Sequence, residues 1–152
     1  MLTSGVKPST ITFNSLIDAC VRSGHLARAW ELLTEMETQK VSPDNFTYST
    51  LIKGIRKEEQ SQDLERAFAL LESLKQTQLF QPDEILFNVL LDACINCHRL
   101  DKALHLFETM RREGSLVKPD EISYNTIIKG CSQFKQLEKA FDVFRAMKNS
   151  GL

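Results

Sequence analysis

Cys94, Cys97 and His98 stand in the order C-x-x-C-H. That spacing is the one by which haem is attached covalently, and a Cys pair is also half of a tetrahedral zinc site. A second set of polar residues is quieter when taken singly. Asn14, Ser49, Asn88 and Asn125 each follow an aromatic residue, and Asp44, Asp83 and Asp120 each follow a proline. An Asn amide carries both a donor and an acceptor and can read a hydrogen-bonding edge. Asn, Ser and Asp at a helix start are equally the residues that cap it. Both readings stand until the register of these residues is known. Acid–base and nucleophilic chemistry have no such candidates. His25, His98 and His105 are scattered over turn and helix-surface positions. There is no nucleophile–base pair, no H-x-E…C-x-x-C signature and no Gly-rich phosphate loop. No catalytic residue is expected in these 152 residues, and no enzyme.

The elements that position the polar set come from a repeat. Residues 118–130 read KPDEISYNTIIKG, 42–54 SPDNFTYSTLIKG, 81–93 QPDEILFNVLLDA and 7–19 KPSTITFNSLIDA. A segment that returns at a near-fixed interval is a structural unit before it is a motif. The units are residues 10–44, 45–83, 84–120 and an incomplete 121–152, with 1–9 the tail of a preceding unit. Apolar residues within each have helical spacing. In the first, Phe13, Leu16, Ile17 and Cys20 form one stripe, Ser23-Gly24-His25 breaks it, and Leu26, Ala29, Trp30, Leu32, Leu33 and Met36 form a second. The fourth repeats this with Tyr124, Ile127, Ile128 and Cys131, then Leu137, Ala140, Phe141, Val143, Phe144 and Met147. Ala29, Ala67, Ala103 and Ala140 share one position on the second helix, where a small residue allows close approach. Thr12, Thr47 and Ser123 are expected N-caps of the first helices.

Each unit is therefore two antiparallel helices, about eight in all, and stacked pairs bury stripes that one pair cannot. The complete units have 35, 39 and 37 residues. The extra residues fall at turns: around 58–62 and just before Gln81-Pro82 in the second unit, around Ser115-Leu116 in the third. Apolar surface is expected on the last pair. The same register assigns the cysteines. Cys20, Cys94 and Cys131 occupy the position that Ile55 fills in the second unit, so they are core residues, with Cys97 and His98 in a helix–helix turn. No metal and no cofactor are expected.

With 19 basic and 20 acidic residues the net charge is −1, unlike the basic balance of a typical nucleic-acid-binding domain. No apolar run reaches the length of a membrane span, and no secretory signal is visible. Four Cys outside a secretory context point to reduced thiols.

The W-x2-L-G-x2-Y pattern of tetratricopeptide repeats is absent. The units instead resemble pentatricopeptide repeats. The likeness rests on TFNSLIDA (12–19), TYSTLIKG (47–54), LFNVLLDA (86–93) and SYNTIIKG (123–130). It rests also on Leu100, Ala103, Leu106, Phe107 and Met110 of a second helix, and on the closing Gly114…Pro119-Asp120. It covers essentially the whole chain. The units of 39 and 37 residues depart from the family's ideal length, which the first unit has.

The resemblance implies a right-handed α-solenoid of stacked antiparallel helix pairs that binds single-stranded RNA, about one base per repeat. It implies that the fifth residue of a repeat reads the base edge together with the last. The pairs are then Asn14 with Asp44, Ser49 with Asp83 and Asn88 with Asp120, while Asn125 has no final partner. Asn with Asp resembles a uracil reader and Ser with Asp a guanine reader, giving 5′-U-G-U-(U/C)-3′ with the N-terminus toward the 5′ end. Ile11, Phe46, Ile85 and Ile122 would sandwich the bases, and Arg22 and Lys57 would face phosphate. Asn96 and Gln133 hold the other two phosphate positions. Lys53 and Lys129 are expected to help from the same helices, while Asp18 and Asp92 fill the equivalent place in the other two units. Family members are mostly organellar, which implies a mitochondrion or, alternatively, a plastid, and work in RNA processing, stability or translation. The near-neutral charge fits a second expectation equally: a scaffold for other proteins of an organellar ribonucleoprotein complex.

Overall fold

The computed structural model describes residues 5–77 and 80–152. Among the described residues it holds eight α-helices, one 3-10 turn and no strand. They are α1 (Thr10–Arg22), α2 (Leu26–Thr38), α3 (Asn45–Lys53), α4 (Ser61–Lys75), α5 (Glu84–Asn96), α6 (Leu100–Arg111), α7 (Glu121–Gln133) and α8 (Leu137–Asn149). The expected tail at 1–9 lies partly outside the described residues, as does the insertion expected just before Gln81. The chain forms two compact units, Met1–Ile55 and Arg56–Leu152.

In the first unit α1 packs against both α2 and α3. The α1–α2 turn is three residues long, so the two helices run back on each other. Gly24 sits there at φ 77°, the left-handed region that glycine enters without steric cost. His25 N–H then reaches back to the Cys20 carbonyl at 2.8 Å and Ser23 N–H to that of Ala19 at 3.0 Å. Phe13, Ile17 and Val21 of α1 meet Leu26, Ala29, Trp30, Leu33 and Met36 of α2 and Tyr48, Leu51 and Ile52 of α3 in the core. Ala29 is fully buried, as its small size at the crossing requires. Leu16 departs from the expected stripe and is 44% exposed. It lies about 100° round the helix from Ile17, on a flank that neither α2 nor α3 covers.

The second unit holds α4 to α8. Its central helix, α5, touches α4, α6 and α7. This explains why α5 reads as nearly continuous apolar sequence: Leu86, Phe87, Leu90, Leu91, Ala93, Cys94 and Ile95 are all buried. The extra residues near 58–62 form a 3-10 turn at Glu58–Gln60, held by the Gln60 side-chain carbonyl, which accepts from the backbone N–H groups of Arg56 and Lys57 at 2.7 and 2.9 Å. The α5–α6 and α7–α8 turns share the geometry of the Gly24 turn without its glycine. His98 and Lys135 adopt φ 57° and 58°, and the closing bonds Arg99 N–H to Cys94 O and Gln136 N–H to Cys131 O are 2.8 and 2.7 Å. Tertiary packing here overrides a preference of about 1–2 kcal/mol against left-handed backbone.

The second-helix stripe is buried on α6 and open on α8. Phe107 is fully buried and meets the Tyr124 ring edge-on at 5.0 Å. Phe144, at the same register position on α8, is 46% exposed, beside exposed Leu137 and Phe141. Phe107→Ala should therefore destabilise the chain by about 3–5 kcal/mol through cavity formation. Phe144→Ala should cost about 1 kcal/mol or less. Urea unfolding followed by circular dichroism checks the contrast, and equal costs would refute this account of the packing.

Candidate nucleic-acid interface

The C-x-x-C-H segment comes apart in three dimensions as a chemical site. Cys94 is interior on α5, and burial pushes its thiol up to about 12. Cys97 does lie in the turn, as expected, yet is buried, and its thiol donates to the Lys57 carbonyl at 3.3 Å. Burial raises its pKa too. Among the described residues no group of three His, Cys, Asp or Glu is arranged to hold a metal. Cys131 and Ile55 are buried as expected, while Cys20 is only half-buried.

The polar set is assembled instead at the starts of the first helices. The N-caps lie three residues before the expected Thr12, Thr47 and Ser123, at Ser9, Asp44 and Asp120, with Asp83 capping α5. Each cap has extended backbone, and its side-chain oxygen accepts from the N–H of the third helical residue. Thr12, Thr47 and Ser123 are those third residues, and their hydroxyls accept from the cap's own N–H. The reciprocal pair is a capping box, closed by a hydroxyl in the place of the usual Glu or Gln.

In the first unit the box at α3 is joined to α1. Asn14 Nδ2 donates to Asp44 Oδ1 at 3.2 Å, and the Thr47 hydroxyl donates to Asn14 Oδ1 at 2.5 Å. Asp44 Oδ1 also accepts from Thr47 N–H at 2.9 Å. The second unit repeats this between α5 and α7. Asn88 Nδ2 donates to Asp120 Oδ1 at 3.0 Å, Ser123 Oγ to Asn88 Oδ1 at 2.5 Å, and Ser123 N–H to Asp120 Oδ1 at 3.0 Å. Burial opposes ionisation of both carboxyls. The bonds from Thr47 and Asn14, and from Ser123 and Asn88, outweigh it and hold both below the ordinary value. The structure thus brings together two of the paired residues named from the sequence. Ser49 lies in the first unit, where its hydroxyl donates to the Phe46 carbonyl at 3.2 Å. Asp83 lies in the second, accepting from Leu86 N–H at 2.9 Å. Asn125 is exposed on α7.

The apolar residues beside these pairs project outward. Ile11, Phe46, Ile85 and Ile122 are 77%, 58%, 57% and 61% exposed. In the first unit Ile11, Asn14, Asp44 and Phe46 line one open cleft of about 370 Å³, with Ser15 and Asp18. Asn14 in it is buried, Ile11 and Phe46 supply its apolar surface, and Ser15, Asp18 and Asp44 its polar surface. Arg22 is exposed but bound to Asp18 at 2.9 Å. Lys57 is exposed beside the 3-10 turn, and Lys53 and Lys129 are exposed on α3 and α7. Asp92 accepts from the Asn96 amide at 3.3 Å. Charge along the first helices is therefore mixed. The hydroxyls of Thr47 and Ser123, which complete each site, went unassigned in the sequence beyond capping.

A PPR repeat family model matches residues 8–57, 82–132 and 119–152. A chloroplastic pentatricopeptide repeat-containing protein of Arabidopsis thaliana is 32% identical over 70% of this chain and 13% of its own length. The mitochondrial 15S rRNA processing factor CCM1 of Yarrowia lipolytica is 26% identical over 70% of this chain and 14% of its own length. The crystal structure of the pentatricopeptide repeat protein PPR10, known from maize, in complex with an 18-nt psaJ RNA element matches with a TM-score of 0.80 at 25% identity. That match covers 99% of this chain and 21% of PPR10. The PPR domain of Arabidopsis thaliana protein-only RNase P 1, solved with tRNA, shares the fold at 21% identity, with a TM-score of 0.72 over 99% of this chain and 76% of that one. The fold class is that of these helical-repeat solenoids, and the chain spans 13% and 24% of the first two curated relatives.

The depressed carboxyls make a pH prediction. The folded pKa of Asp44 and of Asp120 lies below the ordinary 3.8, so the unfolded chain binds protons first as pH falls. Their stabilisation is complete well above 3.8 and is lost as pH drops through the folded values. Asn is also a competent N-cap, so the double variant Asp44→Asn/Asp120→Asn should still fold. Its urea midpoint should fall less steeply than the parent's between about pH 5 and pH 3. Parallel curves would show that these carboxylates carry no linked stability.

Proposed function

The chain belongs to the PPR repeat family, and from that premise we propose that it binds single-stranded RNA with about one base per repeat. The observation that carries this reading is the cleft of the first unit and its counterpart polar cluster in the second: a pinned Asn–Asp pair flanked by outward apolar side chains. Stacking against apolar or aromatic walls is sequence-tolerant and contributes on the order of 1–3 kcal/mol per base. Selection falls to the amide at the floor.

After its internal bonds, each Asn keeps one Nδ2–H and one Oδ1 lone pair. A uracil edge offers a carbonyl acceptor beside its N3–H donor and matches that pair. Ser49, with Asp83 in register, is assigned guanine, and Asn125 a pyrimidine. The footprint is 5′-U-G-U-(U/C)-3′, with Ile11, Phe46, Ile85 and Ile122 between bases. Repeat boundaries follow the units 10–44, 45–83, 84–120 and 121–152. Arg22 and Lys57 face phosphate, with Arg22 partly neutralised by Asp18. The relatives named as chloroplastic and mitochondrial support an organellar setting, in RNA processing, stability or translation. The reading assigns the chain a binding role and no catalysis.

The balanced charge favours one other reading, a protein scaffold in an organellar ribonucleoprotein complex. Filter binding decides between them. This chain, and any longer array that contains it, is titrated with RNA containing UGUU and with a scrambled control. The chain alone should bind weakly and the longer array tightly, both with preference for UGUU. Equal binding to both RNAs would remove the base assignments. Undetectable binding of the longer array to either would remove the RNA reading and leave the scaffold.

A further inference from the structure

We propose that the hydroxyls of Thr47 and Ser123 are positioning residues that set the selectivity of the base site in the preceding repeat. The inference rests on the RNA reading above and concerns how each Asn distinguishes uracil from cytosine. These two bases present opposite edges: N3–H beside a carbonyl in one, a bare N3 beside an amino group in the other. An Asn amide free to turn over by 180° fits either, because its own donor and acceptor exchange places. Selectivity therefore requires that the amide be held one way round.

Two contacts hold it. The Asp44 carboxylate accepts only, so it draws the Nδ2 side of Asn14, at 3.2 Å. Thr47 holds the other side. Its oxygen already accepts from Asp44 N–H at 3.1 Å. Its single proton has two acceptors in reach, Asn14 Oδ1 at 2.5 Å and Asp44 Oδ1 at 2.9 Å. The closer is Asn14, and Asp44 Oδ1 is already occupied by Thr47 N–H and Asn14 Nδ2. Ser123 repeats this at Asn88, at 2.5 Å against 3.0 Å to Asp120. Thr47 and Ser123 are themselves fully buried, which keeps water from competing for their hydroxyls. The register of the chain agrees. A hydroxyl residue stands three positions after the closing Asp wherever the reader is Asn14 or Asn88. After Ser49, whose hydroxyl serves as donor or acceptor by simple rotation, that place holds Leu86.

The test uses Thr47→Val, which removes the hydroxyl at nearly constant shape, Thr47→Ser, which keeps it, and Ser123→Ala. Binding is measured to UGUU RNA and to RNAs with cytosine at the first or third base. Thr47→Val should lower the uracil preference at the first base about five-fold, the worth of one buried hydrogen bond. It should leave the third base unchanged. Ser123→Ala should do the reverse, and Thr47→Ser should restore the parent preference. If Thr47→Val weakens both RNAs in step, the hydroxyl serves the helix cap alone and the inference is overturned.

A readout without RNA separates this from failure of the base reading itself. In the parent the Nδ2 protons of Asn14 should have NMR shifts displaced from those of a free Asn amide, moving toward the free values in Thr47→Val and returning in Thr47→Ser. Signals unmoved by Thr47→Val overturn the inference. A parent protein indifferent to base identity would instead overturn the base assignments, whatever the amide signals show.

Discussion

The structure depends on how each first helix satisfies the backbone N–H groups at its start. An α-helix leaves its first N–H groups without internal partners. Pro followed by Asp answers this at α3, α5 and α7. The ring holds the linker extended, and the carboxylate turns back onto the third N–H. At two of these helices the same carboxylate oxygen also accepts the amide of the preceding first helix. The contact that starts one helix is thus the contact that ties it to its neighbour. At Asn14 and Asn88 the helix cap and the proposed base site would be one object, sharing atoms.

Stacking sets what remains exposed. In the first unit α1 has a face against α2 and a face against α3, in the second α5 has faces against α6 and α7, and the residues at the very start of each first helix fall outside these contacts. Ile11, Phe46, Ile85 and Ile122 sit there, one residue after the first of each helix, too early to reach the core. Burying large apolar residues would stabilise a fold by about 1.5–3 kcal/mol each. Their exposure at each first-helix start, beside a buried amide at Asn14 and Asn88, matches what a stacked planar ligand would need. The exposed Leu137, Phe141 and Phe144 on α8 have a different origin: they hold the positions of Leu100, Leu104 and Phe107 on α6, which are half-buried or buried there.

Much of this was legible in the sequence because it repeats. Helical period located the stripes, and alignment of four copies separated the regular polar positions from the accidental C-x-x-C-H. Three features were hidden. The caps were read at Thr12, Thr47 and Ser123, since a hydroxyl just before an apolar stripe looks like a cap. The box is reciprocal, so its two ends have similar chemistry, and only geometry tells them apart. Cys97 was read as a turn residue, and the fold covers it with the carbonyl of Lys57, beyond the reach of periodicity. His98 and Lys135 stand where a glycine would announce the turn, and their left-handed backbone is set by packing. The hydroxyl on each Asn was visible as a residue but not as a contact, because it crosses from one helix pair to the next.

The site's electrostatics then follow from the cap. Bonds from backbone and side-chain donors hold Asp44 and Asp120 ionised at neutral pH, which places a negative charge beside each base that an Asn would read. A polyanion is not drawn to such a floor by charge. Arg22 is offset by Asp18 on its own helix, so long-range attraction is further reduced. On the proposed RNA reading, binding at these sites would come from short-range terms: stacking on the apolar side chains and the fit of one amide to one edge. Those terms act only on a base that has left a duplex and lies flat in the cleft. A chain built this way gains little affinity from any single repeat and concentrates its free energy in discrimination. Useful affinity then comes from adding repeats, each contributing a similar small increment. The negative floor of these sites is a consequence of the same cap.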